Sequence, residues 1–148
     1  MMSNNPRCLY NNSFSGFLNE AGMTILGKLV EHYHGEARTT TIEAWKGEIS
    51  IMQNTLSRYR DSNGQVIFEY EIPRLGKRID VVLLFKGIVF CIEFKVGETR
   101  ILEADIDQVL DYALDLKNFH KFSQEKVIVP ILIATNYTDI WITEETSV

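Results

Sequence analysis

Asp80, Glu93 and Lys95 are the residues of this chain whose types and spacing best suit chemistry. Carboxylates brought together hold hard divalent cations through oxygen. A lysine beside them adds a compact positive charge for an anionic substrate. Whether the three meet depends on the chain between them. Arg78 to Phe85 and Ile88 to Lys95 are rich in Val, Ile, Leu and Phe and read as two strands joined at Lys86-Gly87. Glycine supplies positive φ cheaply, so the joint reads as a tight hairpin turn. With Phe85 facing Ile88, Asp80 faces Glu93, and facing partners point to one side with Cβ atoms roughly 4.5–5.5 Å apart. Lys95, two residues beyond Glu93, shares that side. Facing like charges destabilise a sheet unless compensated. Mg²⁺ or Mn²⁺ would compensate them; the alternative is that either acid only pairs with Arg78 or Lys95.

The elements that must hold this hairpin follow from the apolar periodicity. Phe14, Phe17 and Leu18 open an apolar segment that Ile25, Leu26, Leu29 and Val30 continue at helical spacing. Thr39-Thr40-Thr41 offers an N-cap with Glu43 in the first turn. Trp45, Ile49, Met52, Leu56 and Tyr59 then recur every three or four residues, which predicts an amphipathic helix over 42–59. Asp61 to Gly64 is a turn, and 66–72 a strand broken by Pro73 and Gly76. Residues 102–119 form a second long helix with Leu102, Ile106, Val109, Leu110 and Ala113 inward. Val127 to Ala134 is a fourth strand, whose Pro130 predicts an edge position or a bulge. The sum is an α/β domain: a small mixed β-sheet flanked by helices, with the acidic site at one end of the sheet.

Further polar residues stand on the elements around that hairpin. Glu48 borders the apolar stripe of the 42–59 helix, and Glu43 lies earlier on the same helix. A four-residue turn at 74–77 would bring Glu71 opposite Asp80, whereas another turn length would turn it away. Arg78 lies beside Asp80. Gln108 and Tyr112, four apart on the 102–119 helix, share a face and can hold substrate or an active-site group. Cys8 and Cys91 are too few and too far apart for a disulfide framework or a zinc site.

The 148 residues fit one domain, 1–148, with one core. Net charge is −5, which argues against a nucleic-acid partner until its distribution is read. Residues 1–100 hold 12 Lys+Arg against 11 Asp+Glu, and residues 101–148 hold 3 against 9. Arg74, Lys77, Arg78 and Lys95 flank the carboxylates, as a basic rim around an acidic pocket would. No apolar run reaches the ~20 residues of a membrane helix, so no membrane partner is expected. MMSNNPRCLY lacks an apolar signal core, which points to the cytoplasm.

Asp80, a gap of twelve residues and Glu93-Phe94-Lys95 resemble the signature of the PD-(D/E)XK nuclease superfamily. The resemblance implies that Asp80, Glu93 and the Phe94 carbonyl bind Mg²⁺ or Mn²⁺, and that Lys95 orients or activates the attacking water. Ile79 stands where that signature often has proline. Gln108 and Tyr112 look like the Gln-x-x-x-Tyr motif of the exonuclease branch, and Glu48 matches the helical acid that supports the metal. Over Thr39 to Thr135 the chain is similar to the N-terminal nuclease domain of bacterial proteins fused to a Schlafen-group-3-type DNA/RNA helicase domain. TTTIEAWKGEI, FEYEIPRLGKRIDVVLL, CIEFKVGE and DQVLDYALDLKNFH carry that similarity. It implies a restriction-endonuclease-like core, nucleic acid as substrate (DNA before RNA), and a helicase domain in the same longer chain. A non-catalytic nucleic-acid-binding or docking module of the same fold is the alternative.

Overall fold

The computed structural model describes residues 7–72, 75–119 and 125–136. Chain order is β1 (Tyr10–Ser13), α1 (Phe14–Asn19), α2 (Gly22–His32), α3 (Thr39–Leu56), β2 (Gly64–Glu71), β3 (Arg78–Phe85), β4 (Ile88–Lys95), α4 (Glu103–Phe119) and β5 (Val127–Ala134). A single 3₁₀ turn, Ser57–Tyr59, follows α3. The five strands form one mixed sheet in sequential order. β1 to β4 run antiparallel to their neighbours, and α4 crosses over to set β5 parallel to β4.

Each face of the sheet has its own apolar layer. Val66, Phe68, Val81, Leu83, Ile92 and Phe94 pack against α1, α2 and α3 through Phe14, Phe17, Leu29, Trp45, Ile49 and Met52. Ile72, Ile79, Val82, Val89, Cys91 and Ile128 pack against Val109, Tyr112, Ala113 and Leu116 of α4. With both faces covered, β3 and β4 read as nearly continuous apolar runs rather than alternating ones. Among the described residues Pro130 lies in an edge strand, the position in a sheet where a missing N–H is tolerated.

Three expectations are corrected. β1 was not foreseen, because Asn11 and Asn12 disguise a short edge strand just before the N-terminal apolar segment. That segment is then two helices, α1 capped by Ser13 Oγ accepting from the Gly16 amide at 3.1 Å. The long helix begins at Thr39 rather than 42, with Arg38 as a cap that makes no side-chain bond, so the threonines lie inside its first turn. Glu71 faces Arg78, because Ile72 N–H donates to Lys77 O at 2.8 Å and the loop between β2 and β3 closes earlier than a 74–77 turn would. Glu71 is exposed and turned away from Asp80. Arg74 and Trp141 lie outside the described residues.

The β3–β4 hairpin has the expected register, Phe85 facing Ile88 and Val81 facing Ile92. Its turn residues Lys86 and Gly87 have φ of 51° and 75°, the pair of positive values that matches strand twist in a two-residue turn. A Cβ added at Gly87 would meet nothing within 4 Å, so substitution there costs backbone conformation alone. Gly87→Ala is therefore expected to lose about 1–2 kcal/mol of stability in urea unfolding. Gly87→Asn should lose less, since Asn tolerates the left-handed region. Equal stability of Gly87→Ala and wild type would show that this turn does not hold the register.

Candidate metal centre

The ladder between β3 and β4 ends at Val81 and Ile92, and two side chains continue it. The Asp80 amide donates to Glu93 Oε1 at 3.0 Å, and the Phe94 amide donates to Asp80 Oδ2 at 2.8 Å. Each carboxyl thus stands where a backbone carbonyl would have been, so the two acids are fixed by the strand ends themselves. Lys95 O accepts from the Thr135 amide at 3.1 Å on the β5 side. Successive residues alternate sides, so the Phe94 carbonyl turns toward β3 and the acids.

The pairing of β2 with β3 skips one position. Phe68 faces Val81 and Tyr70 faces Ile79, which leaves Glu69 opposite Asp80. Glu69 has φ of 55°, in the left-handed region that side chains other than Gly, Asn and Asp rarely enter. Its effect is visible in the packing. Phe68 and Val81 lie on the α3 face, whereas Tyr70, Ile72 and Ile79 lie on the α4 face. Residues two apart in a regular strand share a face, so the alternation reverses at Glu69 and Asp80. Glu69 Oε1 accepts from Trp45 Nε1 of α3 at 3.2 Å. Glu48, one helical turn after Trp45, is 3% exposed, and its Oε2 is buried without a hydrogen-bond partner.

Four acids therefore share one sheet end, where burial raises all four and the charge of Asp80 further raises Glu48, Glu69 and Glu93. Burial pushes Glu48 far above the carboxylate range, and the charges of Asp80, Glu69 and Glu93 push it further. Burial first, then Asp80, raises Glu93, against the pull of the Asp80 amide and Lys95. Burial raises Asp80 too, although the Phe94 amide and Lys95 favour its charged form. Glu69 is pushed up to about 7, by burial and then by Asp80, while Trp45 and Arg78 hold it down.

On the α4 side Lys95 Nζ donates to Gln108 Oε1 at 3.2 Å and lies 3.5 Å from Asp105 Oδ1. Gln108 Nε2 donates to the Tyr112 hydroxyl at 2.9 Å. The expected helix pair exists, and its Gln108 member meets Lys95. Lys77 Nζ lies 5.9 Å from the Tyr112 ring centre and Arg78 the same distance from that of Tyr33. A groove of about 460 Å³ runs past Phe94, Lys95 and Val96 beside Thr39 and Thr40.

Asp80, Glu93, Lys95, Gln108, Tyr112, Glu48 and the Phe94 carbonyl gather at this sheet end; Arg78 borders Glu69, and Glu71 stays away. Sequence reasoning missed Glu69 and Asp105. Asp105 could have been found from its spacing, three residues before Gln108 on the same helix face. Glu69 needed the β2–β3 register. Comparison with protein-family models, curated proteins and solved structures finds no match.

Hard oxygen donors and an orphaned buried carboxylate oxygen suit a divalent cation. Among the described residues no three acidic, His or Cys side chains converge closely enough to hold one as they stand. One oxygen of Asp80 and one of Glu93 are turned to backbone amides instead. Ligation therefore asks side chains to turn, and the electrostatic cost of leaving them unneutralised is testable. A carboxyl with a raised folded pKa binds protons that the unfolded chain has already lost. The stability it contributes is full below the ordinary carboxylate range and disappears as pH rises through the folded value. In EDTA the melting temperature should fall between pH 6 and pH 9. Glu48→Gln should flatten that fall and melt a few degrees higher at pH 9, one kcal/mol being worth roughly 2–4 °C in a chain this size. A melting temperature that climbs over this range would contradict the crowding of the acids.

Proposed function

We propose that this chain is a metal-dependent nuclease of the PD-(D/E)XK type, hydrolysing phosphodiester bonds of DNA or RNA. The observation that carries the reading is the reciprocal bonding of Asp80 and Glu93 at the end of a hairpin, with Lys95 held beside them by Gln108. Asp80, Glu93, the Phe94 carbonyl and Glu48 would hold Mg²⁺ or Mn²⁺. When bound, such a cation supplies positive charge against the scissile phosphate and activates water for attack.

The chain's own residues have separable tasks. Asp80 and Glu93 are each held through one oxygen by a backbone amide, and turning that oxygen to a cation would give up this bond. Lys95 presents an ammonium that can donate to a phosphate oxygen or the attacking water, while Gln108 and Asp105 fix its direction. Tyr112 holds the Gln108 amide, so its effect on Lys95 is indirect. Lys77 and Arg78 offer positive charge for a polyanion passing the sheet end. A helicase domain in the same longer chain would supply unwound strand, and DNA is preferred over RNA on the resemblance alone.

The test is cleavage of labelled single- and double-stranded DNA and RNA in Mg²⁺, Mn²⁺ or EDTA. Asp80→Ala, Glu93→Gln and Lys95→Ala should each lower the rate by roughly 10²–10⁴-fold, the range for loss of a proton-transfer or charge-stabilising group. Gln108→Ala should lower it roughly tenfold, as loss of an orienting partner does. Cleavage that persists in all three core variants would end the nuclease reading. Binding of nucleic acid without cleavage by the full-length wild type would identify a docking module instead.

A further inference from the structure

Glu69 is the one acid of the four to which the proposed cation site gives no task. In a regular strand it would point to the α4 face, because Phe68 points to the α3 face. Its left-handed backbone, φ of 55°, instead brings the carboxyl to α3, where Trp45 Nε1 donates to Oε1 at 3.2 Å. Among the described residues Glu69 forms no ion pair. Arg78, the cation whose charge acts on it, is drawn over the Tyr33 ring, 5.9 Å from its centre. Glu48 lies one turn along the same helix from Trp45, 97% buried by the complement of its 3% exposure, with Oε2 unpartnered. Two carboxyls are thereby delivered to one side of Asp80 by different elements, and among the described residues neither forms an ion pair.

We propose that Glu69 is a ligand of the divalent cation, forming with Glu48 the α3-side half of a cup whose other half is Asp80 and Glu93. The inference rests on the cation site assumed in the nuclease reading and extends that site to β2. A hard cation taking several carboxylate oxygens fits this donor set. The indole N–H then orients Glu69 as outer partners orient ligands elsewhere, and Glu48 and Glu69 turn toward Asp80 on binding.

The 148-residue chain with Trp141→Phe keeps Trp45 as its one indole, which makes the ion's position readable by light. Tb³⁺ bound at Glu69 should emit when Trp45 is excited, and Mn²⁺ should displace it. Glu69→Gln should lower that emission at least tenfold and weaken Mn²⁺ binding at least tenfold by calorimetry. Glu69→Asn should do the same while keeping the melting temperature in EDTA, because Asn tolerates the left-handed backbone, and it guards against a folding artefact. Mn²⁺ affinity within threefold of wild type in both variants, with affinity lost in Glu93→Gln, would reduce Glu69 to a packing partner of Trp45 and leave the nuclease reading intact. Failure of wild type to bind either ion would overturn the cation site and both readings with it.

Discussion

Two hydrogen bonds from backbone amides to carboxyls, Asp80 to Glu93 and Phe94 to Asp80, replace the last rungs of the β3–β4 ladder. A hydrogen bond to a charged group contributes roughly 1.5–3 kcal/mol net, and here that gain opposes the burial that raises both acids and the charge of Asp80 that raises Glu93 further. Neither acid could be moved one residue along its strand without losing its amide partner. The register of the whole hairpin is consequently tied to the site. It is set at the far end by two positive-φ residues, Lys86 and Gly87, and read out at the near end by the two carboxyls.

The helices contribute in different ways. α3 supplies a packed stripe in which Trp45, Ile49 and Met52 are almost fully buried. Glu48 is carried under cover by the same spacing that buries its neighbours. α4 instead approaches through polar groups at its first turns, where Asp105 and Gln108 reach Lys95. A pair as open as Lys95 and Asp105, with side chains 30% and 17% exposed, adds at most about 1 kcal/mol of stability. Its consequence is direction, since an ammonium on a four-carbon stem otherwise samples many rotamers.

Local rules read the hairpin well because a two-residue turn leaves no freedom in the count, so Asp80 and Glu93 could be matched without coordinates. Gln108 and Tyr112 were legible for a similar reason, helical spacing being fixed. The helix over 42–59 was recognised from its stripe, yet its start was misjudged because Thr39 to Thr41 resemble a cap and are instead the first turn. Glu69 was out of reach on two counts. Pro73 and Gly76 allow several loop lengths, and the loop chosen decides whether Glu71 or Glu69 faces Asp80. Even with the right loop, alternation predicts the wrong face, since the reversal at Glu69 and Asp80 is a tertiary choice that holds a costly backbone conformation, roughly 1–3 kcal/mol.

The chain's net charge of −5 would seem hostile to the polyanion proposed as substrate, but distance decides which charges count. At physiological ionic strength exposed charges are screened over roughly 8 Å, so acids on the outer side of α4 bear little on a phosphate at the sheet end. Lys77, Arg78 and Lys95 do bear on it. Two of them rest over aromatic rings, Tyr112 and Tyr33, which restrains the side chains without neutralising them. The four acids then oppose the substrate only while they are charged and uncompensated. Raised folded pKa values keep part of that charge off the metal-free protein. A divalent cation would invert the sign of the pocket at the point where the proposed substrate's phosphate would approach. An acidic chain can in this way present a locally attractive site, with the cation as the condition for substrate entry as well as for chemistry.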